Sequence, residues 1–265
     1  MITMDDNYRF EDFGFFCEPG NNEDPSTPNY ESITVAIPGR KGLWDFGDEV
    51  RERPFSYSLK IIDQFHMNMQ RRVNELVAFL LDPYGKPREI KMVRDYEPDM
   101  HYMVKLNGPI VPSRAEEEFI LKINFVANDP VKYANVENHE INWDSTLVTF
   151  DDSYSIDTLY VNDVTITSPQ TVKTTINGTA IIPEFLIIGS GENVVIEGNG
   201  KSFSLGTFTN ATFEVKGKDY EFIKDGQETF ILGEFITLMP GTNEIYITGS
   251  NMNLNFSIKV RDQYT

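Results

Sequence analysis

One segment alone in this 265-residue chain spaces its apolar side chains three and four residues apart, as an amphipathic helix does. These apolar positions are Met69, Val73, Leu76, Val77 and Leu80. The pattern predicts one helix over about 69–81, with Asn68 as its N-cap. The helix should end at residues 82–85, Asp-Pro-Tyr-Gly, because proline lacks an N–H and glycine permits a reversal of the chain. With a single helical segment, the chain is predicted to be mainly β.

Five extended runs lie around that helix, at residues 32–38, 56–62, 88–95, 100–108 and 118–127. In the last run, apolar residues alternate with more polar ones, which is typical of a half-buried antiparallel strand. The sequence Asn-Asp-Pro at 128–130 then breaks the pattern. We therefore predict that residues 1–134 form an antiparallel β domain carrying one helix.

The composition changes after Tyr133, where Thr, Asn, Ile and Gly become frequent and short extended runs follow one another closely. Two hairpins are predicted, with turns at Gly198-Asn199-Gly200 and near Gly217. The pattern predicts a β-sandwich of the jelly-roll kind over residues 135–265. The chain is predicted to end in a strand. Whether this last strand belongs to the sandwich or returns to the N-terminal domain is left open.

Turn residues, aromatic rings and cations coincide in residues 37–55, IPGRKGLWDFGDEVRERPF. Pro38-Gly39 has the residue types of a type II turn. Trp44 and Phe46 follow, and the basic residues of the segment are Arg40, Lys41, Arg51 and Arg53. The rings either pack into the domain's own core or form a contact surface. The residues alone favour the first interpretation, since most charged runs are solvated.

Charge and cysteine content exclude several classes of function. The formal net charge is -18, from 41 acidic and 23 basic residues, which argues against coating nucleic acid or an anionic membrane. Cys17 is the only cysteine, so neither an intrachain disulfide nor a cysteine-rich zinc site is expected. The acidic N-terminus predicts no export signal, and no apolar run is long enough for membrane insertion.

Short motifs that suggest phosphate binding or nucleophilic catalysis fail on spacing. Gly200-Lys201-Ser202 lacks the glycine of a phosphate-binding loop, because Val195 stands at that position. Gly189-Ser190-Gly191 lacks the spacing of a nucleophile elbow. Both are predicted to be turns.

Metal and acid–base chemistry has no local signature either. The histidines, His66, His101 and His139, are far apart in the sequence and are predicted to be structural. Asp151, Asp152 and Asp157 lack the glycine-centred spacing of a calcium loop. No spacing selects a carboxylate pair for glycoside hydrolysis. We therefore predict no enzyme activity, no metal site and no cofactor.

A sugar-stacking platform is the remaining chemical candidate in the C-terminal half. Its aromatic residues would be Tyr154, Tyr160, Phe185, Phe203 and Tyr220. Core packing is the more common use of such rings.

The order of several motifs resembles the distal tail (Dit) proteins of siphophages and prophages of Gram-positive bacteria, over nearly the whole chain. In the N-terminal half the motifs are IPGRKGLWDFGDEVRERPF, MQRRVNELVAFLLD, RDYEPDMHYMVKLNG and INFVANDPVKYA. In the C-terminal half they are EFLIIGSGENVVIEGNG, YEFIKDGQ and FITLMPGTNEIYITGS. Each motif is weak alone, and their shared order is more specific.

The resemblance implies a structural protein of the virion tail tip, synthesised in the host cytoplasm. The N-terminal domains would form a homo-hexameric ring that joins the major tail tube protein to the tail-tip or receptor-binding proteins of the baseplate. The C-terminal domain would be a galectin-like or carbohydrate-module-like β-sandwich. DNA would pass through the lumen without specific binding, which suits the acidic composition.

Within such a ring, the 37–55 segment becomes the candidate for contacts with a subunit or with the tube. The candidate contact residues are Pro38, Gly39, Arg40, Trp44, Phe46 and Arg53. The alternative function is a carbohydrate-binding module that attaches to host cell-wall glycan through the C-terminal sandwich.

Overall fold

The computed structural model of the chain describes residues 1–18, 20, 22–115, 117–137 and 161–265. His139, the candidate calcium residues Asp151, Asp152 and Asp157, and the candidate platform residues Tyr154 and Tyr160 lie outside these ranges. The chain divides into two compact units: Met1–Lys132 together with Thr265, and Tyr133–Tyr264.

The N-terminal unit is built mainly from short antiparallel strands. Its strands are β1 (Ile2–Met4), β2 (Phe16–Cys17), β3 (Tyr30–Ala36), β4 (Leu43–Val50), β5 (Arg53–Ile62), β6 (Ile90–Arg94), β7 (Glu97–Leu106), β8 (Ser113–Arg114) and β9 (Glu118–Ala127). A 3-10 helix covers Phe10–Phe13, and the α-helix α1 covers His66–Leu80. Strand β10 (Lys132–Ala134) lies at the boundary of the two units.

The main N-terminal sheet has the order β1-β6-β7-β9-β5-β2, with β8 also paired to β9. Strands β5 and β9 pair along their whole length, from Arg53 opposite Ala127 to Ile62 opposite Glu118. Alternate residues of both strands point into one core, as the period of two requires. This core includes Phe55, Tyr57, Leu59, Ile61, Phe119, Leu121, Ile123 and Phe125.

Helix α1 buries Met69, Val73, Leu76 and Leu80 in the same core, as their spacing requires. The helix begins three residues before the expected position, and Asn68 is therefore not its N-cap. Phe65 occupies the N-cap position, and its N–H donates to Asp63 Oδ1 at 2.7 Å. At the other end, Asp82 Oδ1 accepts the backbone N–H groups of Tyr84 and Lys86 and stabilises the reversal.

The regular elements in the described part of the C-terminal unit are all strands. They are β11 (Val164–Ile166), β12 (Gln170–Ile176), β13 (Glu184–Gly198), β14 (Lys201–Lys216), β15 (Glu221–Lys224), β16 (Gln227–Glu228), β17 (Leu232–Gly233), β18 (Gly241–Lys259) and β19 (Gln263–Tyr264). The sheet has the order β11-β18-β13-β14-β15-β16, with β12 on β18 and β17 on β14.

Three long strands, β13, β14 and β18, replace the series of short strands that the sequence suggests. Each changes register near its middle, where β13 pairs with both neighbours through β-bulges. Gly189-Ser190-Gly191 lies at this bend inside β13, so its prediction as a turn is wrong. Bulges bend strands and let one strand serve two layers. One core cluster results, and it draws residues from both halves of the long strands.

The predicted hairpin at residues 198–200 is present. Asn199 and Gly200 join β13 to β14 with φ of 50° and 77°, as a two-residue type I′ turn requires. The prediction of a mainly β chain with antiparallel sheets is confirmed, whereas the jelly-roll topology stays a prediction.

Candidate assembly surface

Strands β3 and β4 form a separate two-stranded sheet that projects from the N-terminal unit. Every residue from 29 to 52 is exposed, although the two strands pair from Tyr30–Val50 to Ala36–Leu43 with one β-bulge between Ser32 and Thr34. The base is fixed by backbone hydrogen bonds from Arg51 N–H to the Asn29 carbonyl (2.7 Å) and from Asn29 N–H to the Glu52 carbonyl (3.2 Å). We call residues 30–50 the hairpin arm.

The tip of the hairpin arm contains the turn that Pro38-Gly39 predicts. The Arg40 N–H donates to the Ile37 carbonyl at 3.1 Å, and Gly39 has a φ of 85°. A positive φ at the third residue is what a type II turn needs, and glycine adopts it without strain.

One face of the hairpin arm is apolar. Val35 lies opposite Trp44, and the alternation of the strands places Ile33 and Phe46 on the same face. All four side chains are exposed, Trp44 by 44% and Phe46 by 64%. The Arg40 guanidinium covers one side of the Trp44 ring, 4.2 Å from its centroid. This face is an aromatic and aliphatic surface with a cation at its tip.

The base of the hairpin arm carries charged pairs, and its other face mixes polar side chains with the exposed Tyr30, Leu43 and Val50. Arg51 bridges two acids on opposite strands, at 2.6 Å from Glu31 and 2.8 Å from Glu49. The hydrogen bond to Glu31, followed by the charges of Glu31 and Glu49, raises the pKa of Arg51. Ser32 donates to the carboxylate of Asp48 across the strands. These cross-strand pairs fix the register of an arm that has no core of its own.

The structure brings five of the six candidate contact residues together on the hairpin arm: Pro38, Gly39, Arg40, Trp44 and Phe46. The interpretation that the two rings pack into the domain's own core is wrong, since both lie on the exposed arm. Arg53 is different, because it is fully buried at the start of β5. It therefore leaves the set of exposed contact residues.

The candidate sugar platform is not assembled from the described residues. Phe185 and Phe203 are buried in the C-terminal core and contact each other at 5.7 Å between ring centroids. Tyr220 is exposed and rests edge-on against Phe235 at 5.3 Å. Two further exposed apolar side chains, Phe230 and Leu232, follow in the same unit.

The described ranges were compared with the requirements of a metal site and of a membrane-spanning helix, and they meet neither. Among these residues, no group of three or more His, Cys, Asp and Glu side chains has the arrangement of a metal site. His101 is buried, and His66 lies edge-on to Phe119 at 5.7 Å. The described helices include none that is long and apolar enough to cross a membrane.

A comparison with known families gives a match in the unit that bears the hairpin arm. Residues 8–126 match the model of the phage tail protein RIFT-related domain. The matched range lies within the N-terminal unit and covers less than half of the chain. The hairpin arm, β5, α1 and all of β9 except Ala127 lie within this range. A search of curated proteins gave no significant match.

Solved structures extend the likeness to the whole chain. The Dit protein of phage SPP1, described as a paradigm of the hub adsorption apparatus in phages that infect Gram-positive bacteria, matches with a TM-score of 0.69 and 15% identity. The match covers 100% of both chains, and it shows a shared fold. Together with the match of residues 8–126 to the phage tail model, it confirms the resemblance to distal tail proteins.

Two structures of the activated phage p2 baseplate also match more weakly. The strontium form has 10% identity and a TM-score of 0.38, over 93% of this chain and 93% of that chain. The calcium form has 10% identity and a TM-score of 0.37, over 93% of this chain and 91% of that chain.

Proposed function

We propose that this protein is a structural hub of a phage tail, in which the N-terminal units assemble into a ring between the tail tube and the tail-tip apparatus. The observation that carries this proposal is the hairpin arm, a two-stranded sheet whose apolar face is left exposed by the described residues of its own unit. The match of residues 8–126 to the phage tail model and the fold shared with SPP1 Dit support the same role.

An arm of this kind needs a partner for thermodynamic reasons. An isolated two-stranded hairpin is at best marginally stable in water. Complete burial of one large apolar side chain contributes about 1.5–3 kcal/mol. Ile33, Val35, Trp44 and Phe46 therefore offer a contact that stabilises both the arm and the assembly that covers it. The proposed occupant is an adjacent subunit of the ring or the last ring of the tail tube.

The number of subunits, six, rests on the resemblance to distal tail proteins. The acidic composition suits a ring through which DNA passes, since a wall of the same sign as DNA does not retain it. In this proposal the protein is a component of the virion tail tip and has no catalytic role.

The test is the mass of the purified full chain, measured by light scattering after size exclusion and by electron microscopy, with and without the tail tube protein of the same phage. We expect rings, alone or on the tube. Trp44→Ser with Phe46→Ser should give particles of monomer mass. A wild-type chain that stays monomeric under both conditions and never enters tail particles would overturn the proposal.

A second candidate, glycan binding by the C-terminal unit, is favoured by its exposed side chains alone. Tyr220 presents 66% and Phe230 91% of its surface to solvent. Retention of the full chain on host cell walls, and its loss in Tyr220→Ala with Phe230→Ala, would support this function. Equal retention of a chain with Ile188→Ala, another exposed apolar residue in that unit, is the control. No retention of the wild type would remove the candidate.

A further inference from the structure

Three Asn-Gly pairs occur in the sequence: Asn107-Gly108, Asn177-Gly178 and Asn199-Gly200. An asparagine before glycine readily loses its side-chain ammonia, because glycine has no side chain to shield its backbone nitrogen and leaves the backbone free to turn. The reaction is intramolecular, so its rate depends on whether the side-chain amide carbon can reach that nitrogen. The fold places the three pairs in different surroundings.

Asn199 is held by hydrogen bonds in the turn between β13 and β14. Its Nδ2 donates to the Thr237 carbonyl at 2.9 Å and to Asn243 Oδ1 at 2.7 Å. Asn243 is buried and is itself fixed, because it accepts from the Met239 N–H and donates to the Met239 carbonyl. The Asn199 amide must leave both partners before its carbon can approach the Gly200 nitrogen.

Asn177 is held in a similar way by the buried carboxylate of Asp262. Its Nδ2 donates to Oδ2 at 2.9 Å, and its backbone N–H donates to Oδ1 at 3.1 Å. Hydrogen bonds to an ionised acceptor are among the stronger ones in proteins. The glycine is confined as well, since a Cβ on Gly178 would lie 2.1 Å from the carbonyl oxygen of Gln263. Both the side chain and the backbone of this pair are therefore fixed.

Asn107 and Gly108 are exposed and follow the last paired residue of β7. The backbone N–H of Asn107 donates to the Asn124 carbonyl at 2.8 Å. Its side-chain amide and the Gly108 N–H have no hydrogen-bond partner among the described residues. A Cβ on Gly108 would meet nothing within 4 Å, so the pair has room to rearrange. We propose that Asn107 is a site of spontaneous deamidation and that the fold protects Asn177 and Asn199.

The reaction at Asn107 needs no reagent besides water. The Gly108 nitrogen bonds to Cγ of Asn107, the bond from Cγ to Nδ2 breaks, and the proton of the glycine nitrogen leaves with the ammonia. Water then opens the cyclic imide at either carbonyl, which gives aspartate or isoaspartate and adds one negative charge at neutral pH. Isoaspartate lengthens the main chain by one carbon after the N–H that pairs with Asn124, so the sheet keeps this hydrogen bond and the folded chain tolerates the product.

The test follows the three pairs in one sample. The full chain is incubated at physiological temperature and mildly alkaline pH, and its peptides are analysed over time by mass spectrometry, with isoaspartate identified by electron-transfer fragmentation. In the folded chain, Asn107 should convert at least about tenfold faster than Asn177 or Asn199, since each of these must first break two hydrogen bonds. In guanidinium chloride at the same pH the three rates should become similar, because the protection is lost with the fold.

Asn107→Gln is the matched variant. It keeps a neutral, exposed amide, but its longer side chain would have to close a larger ring, which forms more slowly. The variant should stop the reaction at this position and leave the rates at Asn177 and Asn199 unchanged. The proposal would be refuted if Asn107 stayed intact in the folded chain while it converted in the unfolded one, or if the three pairs reacted at equal rates in the folded chain.

Discussion

The guanidinium of Arg40 lies 4.2 Å from the centroid of the Trp44 ring, and both side chains stand on the exposed hairpin arm. A cation held over a ring presents a flat, charged and aromatic surface, which is a composition that binding hot spots favour. We expect Arg40→Ala with Trp44→Ala to weaken ring or tube assembly at least about 30-fold, the loss expected of a hot spot. The monomer's free energy of unfolding should change by less than about 0.5 kcal/mol, as for other exposed sites. Light scattering and urea unfolding measure the two quantities.

The control for this variant is Thr34→Ala, on the other face of the same arm. It should leave assembly unchanged if the apolar face makes the contact. Unfolding of the Arg40 and Trp44 variant as a monomer would show instead that the pair holds the domain together.

A glycine in the bend of β13 gives a prediction about the C-terminal unit. Gly189 has a φ of 142°, and an added Cβ would lie 2.0 Å from the carbonyl oxygen of Asn253 on β18. The Asn253 carbonyl is part of the paired strand and cannot move away far enough to remove this clash. Gly189→Ala should therefore destabilise the unit by more than about 3 kcal/mol or prevent folding. Gly200→Ala is the matched control, because it has a φ of 77° but nothing within 4 Å. It should cost about 1–2 kcal/mol in thermal or urea unfolding, and equal losses for both would contradict this account.

The core-facing residues of the N-terminal unit could be predicted, because the side chains that one face of a helix or strand buries repeat with the period of that element. Met69, Val73, Leu76 and Leu80 are buried as their spacing requires. The start of α1 could not be placed from the usual capping residues, because Phe65 occupies the N-cap position without a side-chain cap and its own N–H donates to Asp63. The ends of helices and strands depend on local hydrogen bonds such as this one, and the periodic pattern of apolar residues does not predict them.

The exposure of the hairpin arm could not be predicted from the sequence, because an apolar face covered by a partner has the same sequence pattern as one covered by its own domain. The residue types of Trp44 and Phe46 favour a core position, whereas the structure exposes both rings. Arg51 and Arg53 are the same residue type two positions apart. The first is paired at the base of the arm, whereas the second is buried with two nitrogens that find no hydrogen-bond partner among the described residues. This difference depends on tertiary packing.

Helix α1 provides a test of the N-terminal core. Leu76 is buried between the helix and the sheet, so Leu76→Ala leaves a cavity and should lower the free energy of unfolding by about 2–5 kcal/mol. Arg71→Ala, on the exposed face of the same helix, should change it by less than about 0.5 kcal/mol. Urea unfolding compares the two variants, and a loss equal to that of Arg71→Ala would contradict a core position for Leu76.

Glu97 makes the stability of the N-terminal unit depend on pH. Burial tends to raise the pKa of this carboxyl, but hydrogen bonds from Lys132 and Arg94 outweigh it, and the pKa lies below its usual value. A carboxyl with a lowered pKa in the folded state stabilises the fold above its unfolded pKa of about 4.3. This contribution is lost as the pH falls through the folded pKa.

We therefore expect Glu97→Gln to be less stable than the wild type at pH 7, because Arg94 and Lys132 then lose a charged acceptor. The difference should shrink as the pH falls below the unfolded pKa, since the wild-type carboxyl becomes neutral as the pH passes through its lowered pKa in the folded state. Urea unfolding at a series of pH values measures the difference between the two proteins. A gap that stays constant from pH 7 to pH 3 would show that Glu97 acts by packing and hydrogen-bond geometry, and that its charge contributes nothing to the stability of the fold.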